Sequence, residues 1–291
     1  MVARKRVLVT GGTGFVGANS LPLLKSKFDI VAPRRAELDV TSPDAVERYV
    51  KDVRPDVIVH LANPNPAKNP IDESIDMFRG SVDSFMGCYR VRKLVDKVIY
   101  LGSGAELDKR FDMCLITEDE FGRSYPVDAY GAAKYVENVI ASNADNVYNL
   151  RLFACFGPMD HWSKFITHCI RCILAGKNIT IRKDCYFDYL HVSDLAKIIC
   201  WSICSDMHHG DYNICTGTRY LLSEIADMVR NQMSSSEDIV LLSDEMNREY
   251  TASPARLREE YFEPFLSLEE GIARQIEYEK SVYPDGGYDR L

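Results

Sequence analysis

The stretch TGGTGFVG at residues 10–17 places glycines at a G-x-x-G-x-x-G spacing, directly after the apolar run RVLVT at residues 6–10. A glycine-rich loop between the end of a strand and the start of a helix is typical of dinucleotide-binding sites. Gly11 would make the tight turn, Gly14 would let backbone N–H groups approach a pyrophosphate, and Gly17 would let helix pack on strand. The loop also predicts cofactor contacts from its other residues, Thr13, Phe15 and Val16. One residue, Pro22, lies inside the expected helix and should kink it.

Short β-branched runs alternate with amphipathic stretches along the first half of the chain. The predicted strands are Arg6–Thr10, Asp29–Ala32, Asp56–Leu61, Lys97–Gly102 and Val147–Phe153. The predicted helices between them include Pro43–Asp52, Asp76–Val95 and Asp128–Asn143. Such alternation predicts an α/β fold, a doubly wound parallel sheet of the Rossmann type.

The alternation weakens after FGP at residues 156–158, where we expect a smaller C-terminal substrate lobe to begin. We predict a dinucleotide-binding domain over residues 1–157, with a returning segment near 184–212. The substrate-binding lobe would comprise residues 158–183 and 213–285, followed by a tail at 286–291.

The composition argues against a nucleic-acid-binding protein, a membrane protein and a metal-binding protein. The 291 residues carry a formal net charge of −8, which argues against nucleic-acid binding. No apolar run reaches the roughly 18 residues of a membrane span, and the first ten residues do not read as a signal peptide, so the cytoplasm is the expected location. The nine cysteines include one C-x-x-C pair, Cys169 and Cys172, whose i, i+3 spacing predicts packing in a helix face. They indicate free or buried thiols, and no metal site is predicted.

Two arginines follow the second strand, at the place where a dinucleotide-binding sheet usually carries an acid for the ribose 2′-hydroxyl. Arg34 and Arg35 would instead attract a 2′-phosphate, which predicts NADP as the cofactor. NAD stays open, because Glu37 could serve as the acid or both arginines could be solvated surface charges.

The segment AYGAAK at residues 129–134 places Tyr130 and Lys134 four residues apart on a predicted helix. We expect the helix to bury an apolar stripe made of Ala132, Val136, Val139 and Ile140. A nearby ammonium lowers the pKa of a phenol, so Tyr130 could exchange a proton with a substrate oxygen. Ser103, at the carboxyl end of the strand KVIYLGS, could hydrogen-bond the same oxygen.

Together these residues resemble the extended short-chain dehydrogenase/reductase family, which includes nucleotide-sugar epimerases, dehydratases and reductases. The resemblance implies that Ser103, Tyr130 and Lys134 are the catalytic triad and that Lys134 also contacts the cofactor. Further matching segments are LDV at 38–40, VIVHLAN at 57–63, RLFACFGP at 151–158, FDYLHVSDLA at 187–196 and YNICTG at 212–217. They imply additional cofactor contacts from Asp39, Val40, Leu61, Ala62, Asn63 and Phe153.

Departures from the family pattern bear on the subclass. Gly104 and Ala105 stand where the dehydratases carry an Asp-Glu pair, so dehydration is not expected. The cysteine of the fucose-synthase-like enzymes is missing after Ser103, and Lys164 lies near their partner histidine position, so double epimerisation is not expected either. The predicted substrate contacts are Gly104, Ala105, Trp162 and Lys164.

With dehydration and double epimerisation not expected, the reaction that remains within the family is hydride transfer at one sugar carbon. The resemblance and the short chain favour an NADPH-dependent reductase acting on the 4-keto group of a nucleotide-activated sugar or deoxysugar. A 4-epimerase that recycles its NAD(P) is the alternative, and a non-catalytic NADP-binding sensor or scaffold is the second alternative. The expected partner is a nucleotide-sugar substrate, with no nucleic acid and no membrane, and a homodimer stays open.

Overall fold

The computed structural model describes residues 4–64 and 74–283, so the predicted tail at 286–291 lies outside the described residues. The strands are β1 Arg6–Thr10, β2 Asp29–Val31, β3 Val57–His60, β4 Lys97–Ser103, β5 Met113–Ile116, β6 Val147–Leu152, β7 Ala154–Phe156, β8 Ile179–Ile181, β9 Tyr186–Phe187, β10 Tyr189–His191, β11 Asp211–Ile214, β12 Tyr220–Leu221, β13 Ile239–Leu241 and β14 Tyr250–Ala252. The helices are α1 Phe15–Lys27, α2 Pro43–Val53, α3 Ser74–Arg90, α4 Ala129–Ala141, α5 Phe165–Leu174, α6 Val192–Cys204, α7 Leu222–Gln232, α8 Ala255–Arg258 and α9 Leu268–Val282.

A six-stranded sheet forms the centre of the molecule in the order β2-β1-β3-β4-β6-β11, and every pairing in it is parallel. Parallel strands covered on both faces need apolar side chains on both sides. The runs at 7–9 and 57–59 meet this need, because every one of their residues is fully buried. The predicted doubly wound α/β fold is therefore confirmed.

Helices cover both faces of this sheet. Helices α1 and α6 pack together on one face, whereas α2, α3 and α4 lie side by side on the other. The chain runs from β1 outward to β2 and then crosses to β3 on the other side of β1. This reversal opens a crevice at the carboxyl ends of β1 and β3, the place where doubly wound sheets bind ligands.

The predicted kink at Pro22 does not break α1, which continues past it to Lys27. The predicted helix over Asp76–Val95 ends earlier than expected, since α3 stops at Arg90 and a short 3₁₀ turn follows at Arg92–Leu94. No helix in residues 4–64 and 74–283 is long and apolar enough to cross a membrane.

The C-terminal part has its own apolar core, in which α5, α7 and α9 pack against the paired strands β8 and β13. A four-stranded sheet in the order β12-β9-β14-β5 joins this part to the loop after β4. The predicted boundary at residue 212 falls inside β11, which completes the central sheet, and Leu257 and Tyr261 pack into the core of that sheet. The division into two lobes at the predicted residues stays a prediction.

Candidate active site

A cleft of about 1010 Å³ lies at the carboxyl ends of the central strands. It is lined by the glycine-rich loop after β1, the loop after β3, the end of β4, the first turns of α4, and residues of the C-terminal part near 160–165 and 247–250. Ser103, Tyr130 and Lys134 all line this cleft together with Gly11, Gly14 and Gly17. The predicted triad and the predicted cofactor loop therefore face one cavity.

The glycines of the loop are needed for two close approaches. Gly11 has a left-handed φ of +71°, and a Cβ there would lie 2.5 Å from the backbone nitrogen of Ala62 in the loop after β3. A Cβ on Gly17 would lie 2.3 Å from the carbonyl oxygen of Gly11. Any side chain at either position would push the loop away from β3 or from the first turn of α1.

The N-terminus of α1 opens into the cleft without a side-chain cap. The N-cap residue is Gly14, which has no side chain to accept a hydrogen bond from the helix. The first turn contains no acidic residue. The first N–H groups of the helix are therefore left without an intrahelical or side-chain acceptor, and they favour an anion. This arrangement fits the pyrophosphate of a dinucleotide.

Ser103 ends β4 and is held by the 3₁₀ turn Gly104–Glu106 that follows it. The backbone N–H of Ala105 donates to Ser103 Oγ at 3.2 Å, and the backbone N–H of Ser103 donates to Glu106 Oε1 at 2.9 Å. This reciprocal pair is a capping box, which fixes the orientation of the serine backbone.

The start of α4 brings Tyr130 close to that turn. Asp128 caps the helix by accepting a 2.8 Å hydrogen bond from the backbone N–H of Gly131. A Cβ on Gly131 would lie 2.6 Å from the carbonyl oxygen of Ala105, so only glycine lets the helix pack this closely on the serine turn. Tyr130, one residue earlier, lines the cleft together with Ser103.

Lys134 is buried and held by two acceptors. Its Nζ donates to Glu137 Oε2 at 2.7 Å and to the carbonyl oxygen of Leu101 at 3.1 Å. Burial would lower the pKa of Lys134, but the charges of Glu137 and Tyr130 outweigh it and raise that pKa above its ordinary value. The lysine is therefore a fixed cation beside the phenol.

The predicted buried stripe of α4 is wrong. Val139 is 42% exposed, whereas the helix buries Ala133, Lys134, Glu137 and Ala141. The helix can bury two charged side chains because they neutralise each other through their hydrogen bond. Glu137, which the sequence interpretation missed, therefore holds the lysine of the predicted triad in place.

A second buried charge network supports the serine turn from below. Arg151 Nε donates to Glu106 Oε2 at 2.9 Å, and Nη2 donates to Asp211 Oδ2 at 2.6 Å. Asn213 Oδ1 accepts from Nη1 at 2.9 Å, which leaves the fully buried guanidinium well satisfied. Burial opposes the charged form of Arg151, but the two carboxylates raise its pKa above the usual value.

His60 also borders the cleft, next to the triad lysine. Its Nδ1 lies 2.8 Å from Thr10 Oγ1, and the side chain is 2% exposed. Burial, with a smaller contribution from the Lys134 charge, lowers the pKa of His60 to about 3, so the imidazole is neutral near pH 7. This agrees with a core histidine at the end of β3.

The predicted cofactor residues beyond the glycine loop fall into two groups. Four of them line the cleft, namely Leu61, Ala62, Asn63 and Phe153. Arg34 and Arg35 are exposed in the turn after β2 and do not line it. A Cβ on Gly12 would lie 3.3 Å from Ala32 Cβ, so this turn starts beside the glycine loop.

The segment LDV lies between β2 and α2, also outside the cleft. Asp39 Oδ1 accepts from both the hydroxyl and the backbone N–H of Thr41, and these hydrogen bonds lower the pKa of Asp39. Val40 packs partly buried near α2 and α3. Their roles as cofactor contacts stay predictions.

Of the predicted substrate contacts, Lys164 lines the cleft, while Trp162 is not among its lining residues. Gly104 and Ala105 are buried in the turn beneath Ser103 and do not reach the cavity surface. The cleft adds residues that sequence analysis did not select, above all Lys109, Arg248 and Tyr250. No local motif marks them, because the fold brings them in from a loop and from β14.

Known proteins resemble this chain in sequence and in fold. It is 27% identical over 239 residues to GDP-6-deoxy-D-talose 4-dehydrogenase of Aggregatibacter actinomycetemcomitans, covering 77% of this chain and 79% of that one. A shorter stretch of 59 residues is 42% identical to GDP-L-fucose synthase of Azorhizobium caulinodans, covering 20% of this chain and 19% of that one.

The structure superposes on that of GDP-mannoheptose C4 reductase from Campylobacter jejuni with NADP bound, with a TM-score of 0.81 at 20% identity, covering 96% and 99% of the two chains. This likeness shows the shared fold. The family model described as NAD dependent epimerase/dehydratase family matches residues 7–215, which include the glycine loop and the whole triad. The chain is therefore a member of the NAD-dependent epimerase/dehydratase family.

Proposed function

We propose that this enzyme reduces the 4-keto group of a nucleotide-activated sugar or deoxysugar with NADPH. The observation that carries the proposal is the single cleft lined at once by the glycine loop, Ser103, Tyr130 and Lys134. A dinucleotide anchored by the loop would share the cavity with a phenol, a buried ammonium and a hydroxyl. That combination suits proton and hydride exchange with a carbonyl.

Each residue of the triad has a distinct role in this proposal. Tyr130 donates its phenolic proton to the substrate oxygen as negative charge develops there. Lys134 keeps its positive charge next to that phenol and interacts with the cofactor ribose, while Ser103 donates a hydrogen bond to the same oxygen. When bound, NADPH supplies the hydride to the carbonyl carbon.

Three exposed cations on the rim of the cleft support an anionic substrate. Lys109, Lys164 and Arg248 line the cavity, and none of them forms an ion pair with another residue in the described part of the chain. In a protein of net charge −8, a local cluster of unpaired cations favours a phosphate-bearing ligand. The diphosphate of a nucleotide sugar has the matching charge.

The cleft supports reduction without epimerisation at the neighbouring carbons. A thiol used as a base must lose its proton readily. Cys155 lines the cleft, but burial raises the pKa of its thiol well above the ordinary value. The names of two similar proteins, a 4-dehydrogenase and a C4 reductase, support redox chemistry at the same carbon.

The amount of NADPH oxidised per sugar converted distinguishes a reductase from the alternative, a 4-epimerase. With a 4-keto nucleotide sugar, we expect one NADPH to be oxidised for each sugar reduced, followed as loss of absorbance at the nicotinamide band. No exchange between 4-hydroxy epimers is expected without added reductant. Steady epimer interconversion at constant absorbance would favour the epimerase, and tight NADPH binding with no turnover would favour the sensor.

The cofactor preference is testable at Arg34 and Arg35. We propose that both guanidinium groups hold the 2′-phosphate of NADPH, each bond being worth on the order of 1.5–3 kcal/mol. Replacing both with alanine should therefore weaken NADPH binding by roughly 10²-fold or more and leave NADH binding within a few-fold. Fluorescence titration of both cofactors measures the difference.

A matched control removes two lysines from the C-terminal end of α1, the end far from the glycine loop. Lys25→Ala with Lys27→Ala takes away the same charge from exposed positions in the last turn of that helix. We expect this variant to bind both cofactors like the wild type. Equal losses of NADPH and NADH affinity in the arginine variant, or a wild-type preference for NADH, would contradict the proposal.

A further inference from the structure

Asn19 links the helix that follows the glycine loop to a distant loop at the rim of the cleft. It lies in the second turn of α1, and its Nδ2 donates to the carbonyl oxygens of Phe15 at 2.9 Å and Pro158 at 2.8 Å. Both partners are acceptors, so the amide nitrogen must be the atom that faces them. The second hydrogen bond joins residues 139 positions apart in the sequence.

Pro158 belongs to a tight turn over residues 157–160. The backbone N–H of Asp160 donates to the carbonyl oxygen of Gly157 at 3.0 Å, which makes Pro158 and Met159 the two central residues. Met159 has a left-handed φ of +69°. A positive φ at the third residue is typical of a type II turn, in which glycine or asparagine usually takes that position. The methionine is therefore held in a conformation that its side chain disfavours.

The hydrogen bond from Asn19 acts on the peptide group that distinguishes this turn from its unstrained alternative. A type I turn connects the same end residues with a negative φ at the third residue, and its central peptide group is rotated by about half a turn. Here the central peptide group carries the Pro158 carbonyl, so that rotation would direct the oxygen away from Asn19 Nδ2. The 2.8 Å hydrogen bond therefore favours the left-handed conformation of Met159.

The turn determines where the next segment runs along the cleft. We call residues 160–164 the lip, and four of its members line the cavity, namely Asp160, His161, Ser163 and Lys164. The lip ends at the N-cap residue of α5, Lys164, whose backbone N–H donates to the carbonyl oxygen of His161 at 2.9 Å. Because Lys164 is one of the cations that favour an anionic substrate, the conformation of the turn decides where this charge lies.

We propose that Asn19 is a positioning residue, which fixes the left-handed turn at Met159 and thereby places the lip and Lys164 for the substrate. This inference rests on the proposed function. Asn19 does not line the cleft, so it acts through the turn and not on the substrate itself. The affinity for the sugar nucleotide should depend on Asn19, whereas the chemical step should not, because the triad lies on β4 and α4.

A double-mutant cycle with Met159 tests whether Asn19 acts through the turn. Asn19→Ala should raise KM for a 4-keto nucleotide sugar by about 3- to 10-fold, the effect of one neutral hydrogen bond. Both kcat and the NADPH affinity from fluorescence titration should stay within about 2-fold of the wild type. Glycine adopts a left-handed φ without strain, so in the Met159→Gly background the same substitution should raise KM by less than about 2-fold.

Asn146→Ala is the matched control. Asn146 Nδ2 also donates to backbone carbonyl oxygens, those of Arg92 at 2.8 Å and Val95 at 3.2 Å, but it does so at the amino end of β6, whereas the cleft lies at the carboxyl ends of the strands. This variant should lower the thermal unfolding midpoint by about 2–4 °C and leave KM unchanged.

Three results would overturn the inference while the proposed function stands. They are an unchanged KM in Asn19→Ala, equal rises of KM in the two backgrounds, and a loss of NADPH affinity as large as the rise in KM. Absence of hydride transfer by the wild type itself would overturn the proposed function and the inference with it.

Discussion

Replacing Tyr130 with phenylalanine is expected to lower turnover by roughly 10²–10⁴-fold while NADPH affinity stays within a few-fold. The substitution keeps the ring at the start of α4 and removes the only proton that the proposed reaction transfers to the substrate oxygen. Single-turnover oxidation of NADPH with a 4-keto nucleotide sugar measures the chemical step, and fluorescence titration measures cofactor binding.

Tyr135→Phe is the matched control for this prediction. Tyr135 lies on the same helix, its ring stacks on Phe121 with centroids 4.6 Å apart, and it does not line the cleft. Its turnover should therefore match that of the wild type. A Tyr130→Phe variant that keeps more than about a third of wild-type turnover would show that Tyr130 is not the proton donor.

The second large effect is expected on stability. Arg151→Met leaves the buried Glu106 carboxylate without its guanidinium partner, and removing one member of a buried pair costs about 3–5 kcal/mol. We expect the free energy of unfolding to fall by that amount, measured by urea unfolding with circular dichroism. Because Glu106 also accepts the backbone N–H of Ser103, turnover at low temperature should fall as well.

Arg256→Met provides the comparison within the same network. Arg256 binds Asp211 and the exposed Asp119, and its own side chain is 21% exposed, so water can solvate the groups that it leaves behind. Its loss of stability should stay near 1 kcal/mol. Similar losses in the two variants would show that burial of the Glu106–Arg151 pair does not set the cost.

Local patterns were enough to predict five of the six strands of the central sheet and the glycine-rich loop that follows β1. The inner strands β1, β3 and β4 are buried on both faces, so their apolar runs differ clearly from the helices between them. Gly11 and Gly17 are recognisable in the sequence because the tight turn and the close helix contact at these positions exclude any side chain. The i, i+4 spacing of Tyr130 and Lys134 likewise predicted that both residues would face the same place, and both line one cleft in the structure.

Two parts of the site were beyond such patterns, for different physical reasons. Hydrophobic periodicity counts only apolar residues, so it assigned the wrong buried face to a helix that buries the Lys134–Glu137 pair. Tyr250 lies in a strand of three residues, whose position depends on pairing with β5 and β9 rather than on its own sequence. Long-range pairing of short strands leaves no periodic signal.

The late position of β14 in the chain sets the order in which the cleft is assembled during translation. The glycine loop, Ser103, Tyr130 and Lys134 all leave the ribosome before Tyr250, at a synthesis rate of about 5–20 residues per second. Until then β5 lacks its strand partner, and the cleft lacks the lining residues at 247–250. A nascent chain can thus complete its cofactor loop seconds before the chamber around the reacting carbon is closed.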